Sequence, residues 1–138
     1  MGAGARLYLA VGTLHPRKNI STLLQAYSLC KPTAPLVLAG PPGENATALK
    51  SRARDLGISD KVRWLGYVGA DQLPALYSAA RLFAMPSLYE GFGMPVLEAM
   101  ACGTPVVCSN TTSFPEVAGE AALLFDPQNP QEIAEALN

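Results

Sequence analysis

The run Leu82-Phe83-Ala84-Met85-Pro86-Ser87-Leu88-Tyr89-Glu90-Gly91-Phe92-Gly93-Met94-Pro95-Val96-Leu97-Glu98 decides the fold. Its first four residues are apolar without a break, the pattern of a strand buried on both faces. Gly91 and Gly93 then allow positive φ and close approach of backbone to a ligand. Pro95 suits the first position of a helix, where an N–H has no partner. A strand, a glycine turn and a helix start make an anion-binding corner. The unpaired N–H groups of the first turn and the helix dipole both favour negative charge in front of them. Glu90 and Glu98 flank the corner and can accept hydroxyl protons. Phosphate on the amides and hydroxyls on the carboxylates together describe a phosphorylated sugar.

Outward from this corner, apolar runs alternate with helical patterns. Strands are expected at residues 6–11, 35–39, 62–65, 81–85, 105–108 and 121–125. Helices are expected after Asn19 or Ser21, with either as cap, and at 44–56, 71–79, from Pro95 to near Gly103, 113–118 and 130–138. The first helix offers Ile20, Leu23, Leu24, Tyr27 and Cys30 as one apolar face. Gly40-Pro41-Pro42-Gly43 is a turn, and Gly57 a helix stop. Strands alternating with helices imply an α/β fold, a six-stranded parallel sheet covered on both faces as a Rossmann-like three-layer sandwich. Such sheets bind ligands beyond the strand C-termini, at the switch point. The informative loops all fall at that edge: 12–18, 40–43, 66–69 and 86–93.

The 138 residues suit one domain, 1–138, with no linker or repeat. Apolar residues make up 49% and charged residues 15%, the balance of a globular chain. A net charge of −1 gives no basic surface for nucleic acid. No apolar run reaches the roughly 18 residues of a membrane span. The N-terminal residues 1–6 contain no apolar signal core. Cys30, Cys102 and Cys108 form no CxxC pair, and with one histidine no zinc site is expected. Three unpaired cysteines fit a reducing compartment, each as a small buried apolar side chain.

The loop Gly12-Thr13-Leu14-His15-Pro16-Arg17-Lys18-Asn19 supplies cations. Lys18 acts as a point charge and Arg17 as a fork, a pair able to neutralise a diphosphate. Alone this is an ordinary solvated basic loop; beside the glycine corner it reads as an anion site. His15 has no acidic or nucleophilic neighbour in sequence and is weak as a base. Glu90 and Glu98 invite a glycosidase reading, since hydrolases pair carboxylates. Glu98 also suits a helix N-terminus on electrostatic grounds alone. Glu90 precedes a glycine turn, where a long acid has little structural use. Residues 109–113 are polar and either touch a ligand or cap a short helix. Trp64 reads as core, and Tyr67 or the backbone of Gly66-Tyr67-Val68 as a platform for a flat base.

Residues 86–107, from Pro86-Ser87-Leu88-Tyr89-Glu90-Gly91-Phe92-Gly93-Met94-Pro95 to Thr104-Pro105-Val106-Val107, closely resemble the signature of the group 1 (family 4) glycosyltransferases. These are retaining enzymes of the two-domain GT-B class. Val11-Gly12-Thr13, Pro16-Arg17-Lys18-Asn19, Leu38-Ala39-Gly40, Leu65-Gly66-Tyr67-Val68 and Phe114-Pro115-Glu116-Val117-Ala118-Gly119 match in family order. The resemblance implies the C-terminal half of a GT-B fold and a nucleotide-sugar donor such as GDP-mannose or UDP-glucose. It implies that Glu98, the second glutamate of an E-x7-E motif, bonds the ribose hydroxyls and that Glu90, the first, lies near the donor sugar. Lys18 matches the phosphate-binding lysine, and Gly66, Tyr67 and Val68 the base loop. Backbone amides across Gly91, Phe92, Gly93, Met94, Pro95 and Val96 are expected to meet sugar and diphosphate. The reaction implied is transfer of a hexosyl group to a glycan or lipid-linked acceptor, without a metal or other cofactor.

Two departures stand out. Thr13 occupies a position where many members carry arginine, so Arg17 compensates or Lys18 holds the diphosphate more alone. The chain is also shorter than such enzymes. It reads as the donor-binding half, with the N-terminal acceptor domain absent and no turnover expected of it alone. The full enzyme is expected in the cytoplasm, free or peripheral on the cytoplasmic membrane face. The apolar face that meets the other domain is expected to self-associate. The alternatives are a phosphorylase or sugar-phosphate synthase of the same fold, and a non-catalytic interaction module.

Overall fold

The computed structural model describes residues 6–30, 34–89, 93–111 and 114–138. Strands and helices alternate: β1 Leu7–Val11, α1 Ile20–Leu29, β2 Leu36–Ala39, α2 Ala46–Asp55, β3 Val62–Gly66, α3 Leu73–Ala79, β4 Ala80–Met85, α4 Met94–Ala101, β5 Val106–Ser109, α5 Phe114–Ala118, β6 Ala122–Phe125 and α6 Pro130–Leu137. All strand pairings are parallel, in the order β3-β2-β1-β4-β5-β6. The chain moves outward from β1 to β3, then returns to the other side of β1. The switch point is therefore the seam between β1 and β4, where Leu9 lies beside Phe83. This is the α/β arrangement the alternating pattern predicts.

Strand residues divide by face, because successive side chains point to opposite sides of a sheet. Tyr8, Ala10, Leu36, Leu38 and Phe125 pack with Leu23, Leu24, Leu49 and Ile133 of α1, α2 and α6. Leu9, Val37, Phe83, Met85 and Cys108 pack with Tyr77, Val96 and Ala99 of α3 and α4. Two cores thus sandwich one sheet. β2, β4 and β5 are almost wholly buried. The edge strands differ from the expectation of unbroken apolar runs: β3 and β6 alternate between covered and open residues. Trp64 is accordingly half-buried and packs against the first core, with the Lys50 ammonium 5.7 Å from its ring centroid. Cys108 is buried, while Cys30 and Cys102 are only half-buried.

The boundaries shift for identifiable reasons. α3 begins at Leu73, two residues later than the pattern suggests, because the amides of Gln72 and Leu73 both turn back to the Gly69 carbonyl. α2 likewise begins at Ala46. Ser109 belongs to β5 and donates its hydroxyl to the Met85 carbonyl at 3.3 Å, a bond between strands rather than to a ligand.

Asn19 departs most from expectation. It sits at the N-terminal boundary of α1 but makes no side-chain capping bond, and its φ of 61° is left-handed. Its buried amide instead donates to the Pro86 carbonyl at 2.9 Å and the Pro127 carbonyl at 2.7 Å. The Thr22 hydroxyl donates to Asn19 Oδ1 at 2.8 Å and fixes the amide's orientation. One side chain thereby joins the loops that follow β1, β4 and β6. Asparagine tolerates the left-handed region better than most residues. Asn19→Ala leaves two buried carbonyls without a donor and strains the backbone. It is expected to lower stability by about 2–4 kcal/mol, read as the shift in the urea midpoint at unchanged slope.

Candidate functional site

The ends of β1, β2 and β3 are locked together beyond the strands. The Gly12 amide donates to the Ala39 carbonyl at 2.8 Å, and the Gly40 amide to the Gly66 carbonyl at 2.7 Å. A Cβ on Gly40 would stand 2.1 Å from the Gly12 carbonyl oxygen, a backbone atom with no room to yield. A Cβ on Gly12 would lie 3.0 Å from Lys18 Cε and 3.2 Å from its Nζ. The Lys18 side chain therefore runs across Gly12, bringing its ammonium to the end of β1. Lys18 is half-buried; Arg17 and Thr13 are exposed. The Arg17 carbonyl accepts from the Leu88 amide at 2.8 Å, tying the basic loop to the segment after β4. His15 serves the local backbone, since its Nδ1 accepts from the Arg17 amide at 3.3 Å and so caps the 3-10 turn Pro16–Lys18.

On the other side of the seam, α4 opens at Met94 behind Gly93, which is buried and left-handed with φ 77°. Pro95 is the second helical residue, one later than the sequence suggests. The Val96 amide turns back to the Gly93 carbonyl at 3.0 Å. Pro95 has no N–H to offer, and the Val96 amide is engaged within the turn. Met94 is half-exposed and Val96 fully buried. Glu90, Gly91 and Phe92 lie outside the described residues, as do Thr112 and Ser113.

Glu98 is exposed one turn into α4. Its Oε1 accepts a hydrogen bond from the Tyr77 hydroxyl at 3.0 Å. Tyr77 itself is 1% exposed. Its ring stands edge-on to Phe83 at 5.4 Å, and its carbonyl accepts from Thr104 Oγ1 at 2.6 Å. Tyr77 and Glu98 border a cleft of about 270 Å³ between α3 and α4, completed by Ala70, Leu73, Pro74, Ala101 and Cys102. Sequence reasoning misses Tyr77. Leu73 and Tyr77 are four apart on one helix face, a spacing that signals burial but not the carboxylate it meets. A few residues before Ala70 in sequence, Gly66 ends β3 with φ 73°, Val68 packs against the second core, and Tyr67 is 76% exposed. Among the described residues, no group of three His, Cys, Asp or Glu side chains is placed to hold a metal ion.

The family model for glycosyl transferases group 1 matches residues 3–138. The chain belongs to the group 1 glycosyltransferases. Among curated relatives, an O-antigen chain mannosyltransferase B of Escherichia coli is 49% identical over 130 residues, covering 91% of this chain and 34% of that protein. The chain thus spans about a third of that relative's length. Among solved structures, Anabaena Alr3699/HepE in complex with UDP and glucose superposes with a TM-score of 0.91 at 28% identity. It covers 99% of this chain and 38% of that one. Sucrose-phosphate synthase from Thermosynechococcus elongatus gives 0.90 at 31% identity, covering 99% and 36%. The fold is the Rossmann-like half of a GT-B glycosyltransferase. None of the described helices is long and apolar enough to cross a membrane.

Burial pushes the Tyr77 phenol above its ordinary value, and the Glu98 carboxylate adds to the shift by hydrogen bonding and by charge. The folded state therefore keeps this proton at a pH where the unfolded chain releases it. The resulting stability is fully present below about pH 10, the phenol's ordinary value, and is lost as pH rises above it. Tyr77→Phe should make the fall in stability above pH 10 shallower, measured as urea midpoints across pH 8 to 11.5.

Proposed function

We propose that this chain binds a nucleotide-sugar donor at the β1–β4 seam, as the donor-binding domain of a retaining hexosyltransferase. One observation carries the reading: Lys18, folded across Gly12, and Glu98, opening onto the α3–α4 cleft, stand beyond the ends of adjacent strands. In this reading Lys18, with Arg17 near it, meets the diphosphate, and Glu98 the ribose hydroxyls. The base lies along Gly66, Tyr67 and Val68. Gly12, Thr13 and the turn through Gly93, Met94, Pro95 and Val96 border the phosphates and sugar, with Gly91 and Phe92. Glu90 faces the sugar. The bond from the anomeric carbon to the diphosphate oxygen breaks, the acceptor hydroxyl oxygen bonds that carbon with configuration retained, and the hydroxyl proton passes to the leaving diphosphate. Lys18 then stabilises the leaving nucleoside diphosphate, a preorganised electrostatic role that uses no metal.

The group 1 membership and the fold shared with a UDP and glucose complex support this reading. The mannosyltransferase relative makes GDP-mannose the first donor to examine. The fold shared with a sucrose-phosphate synthase favours a second reading, in which the acceptor is a sugar phosphate. The acceptor domain belongs, in either case, to the two thirds of the relatives' length that this chain does not span. The exposed Leu88, Tyr89 and Met94, which flank the glycine turn in sequence, offer apolar side chains to that domain. The whole enzyme would work in the cytoplasm or at the cytoplasmic membrane face.

Ligands that bind only the folded state raise its stability, by about 2.7 kcal/mol at a concentration one hundred times Kd. UDP or GDP at millimolar concentration should therefore raise the melting temperature. Glu98→Ala and Lys18→Ala should each reduce that rise. No shift with either nucleotide, by scanning fluorimetry and by calorimetry, would sink the donor-site reading for this chain. The 138 residues alone should also show little or no donor hydrolysis or transfer, and repeated turnover would overturn that expectation.

A further inference from the structure

We propose that Tyr77 is a positioning residue that holds the Glu98 carboxylate in the orientation that reads the ribose hydroxyls, an inference that rests on the donor reading above. Glu98 is an exposed glutamate with three rotatable side-chain bonds. Ordering such a side chain on binding costs affinity unless it is ordered beforehand. Tyr77 offers the fixed point. Its ring is 1% exposed, edge-packed on Phe83 of β4, and its own carbonyl is held by Thr104 at 2.6 Å. The hydroxyl projects from that anchored ring to Glu98 Oε1 at 3.0 Å.

The bond spans two helices, from α3 to α4, at the wall of the 270 Å³ cleft. A phenol donating to a carboxylate forms a charge-assisted bond, stronger than one between neutral groups. It occupies one of about four acceptor positions on the carboxylate and leaves the others for a vicinal diol. A phenol is protonated and so a donor throughout the neutral pH range, and burial moves its loss of the proton to still higher pH. Phenylalanine at position 77 preserves the ring and its contact with Phe83 while deleting only the donor.

A purely structural phenol would lose stability on this change without altering which nucleotide is preferred. The test is calorimetric binding of UDP and GDP to the 138-residue chain, each against its 2′,3′-dideoxy counterpart, for wild type, Tyr77→Phe and Glu98→Gln. Wild type should favour the ribose form. Tyr77→Phe should reduce that preference about threefold to tenfold, in the direction Glu98→Gln takes it, with affinity for the dideoxy form changed by less than about twofold. A wild-type preference left intact in Tyr77→Phe overturns the positioning role and leaves the donor reading standing. A wild type that ignores the ribose hydroxyls, or binds neither nucleotide, overturns both.

Discussion

The buried Asn19 amide is the constraint on which the rest of the site depends. A parallel α/β sheet delivers its loops to one edge but does not hold them to one another. Here the loops after β1, β4 and β6 converge on one side chain, which donates to Pro86 and Pro127 and is itself oriented by Thr22. The left-handed backbone at Asn19 turns the chain sharply between the 3-10 turn and α1. Lys18 is the residue before that turn. Its placement across Gly12 is therefore a consequence of how Asn19 is held, reinforced by the bond from Leu88 to the Arg17 carbonyl.

The opposite side of the seam is organised by packing. Val96 and Ala99 anchor α4 in the core beneath it, which leaves Glu98 on the helix's open face. Tyr77 and Thr104 then connect α3, α4 and the approach to β5 by hydrogen bonds. The two halves of the site thus rest on different physics. The basic half is set by backbone geometry and glycine contacts, where a single Cβ at Gly40 would strike the Gly12 carbonyl. The acidic half is set by a buried ring and its hydroxyl. Both halves draw on contacts within the chain, the kind of preorganisation that the proposed stabilisation of a leaving diphosphate uses.

Much of this is legible in the sequence. The uninterrupted apolar runs at 36–39 and 82–85 mark the central strands, because strands covered on both faces need apolar residues throughout. The positions of Lys18, Gly93 and Glu98 at the sheet's C-terminal edge follow from alternation alone. Three things do not follow. Edge strands β3 and β6 alternate in burial because successive side chains point to opposite faces and the helices cover those faces unequally at the sheet's edges, so Trp64 is only half-covered. Asn19 resembles a helix cap, since asparagine before an apolar periodic run is the usual signal; its real partners lie 67 and 108 residues away, beyond any local pattern. Tyr77 resembles one more core aromatic, because its meeting with Glu98 depends on how α3 and α4 pack. Short-range patterns predict elements well, while bonds between distant loops emerge only from the assembled fold.

The most direct measurement is a crystal structure of this chain with GDP or UDP. The account predicts the diphosphate at Lys18 and Gly12, the ribose hydroxyls on Glu98 with the Tyr77 bond intact, and the base along residues 66–68. A nucleotide bound elsewhere, or at the seam with its ribose away from Glu98, would contradict it.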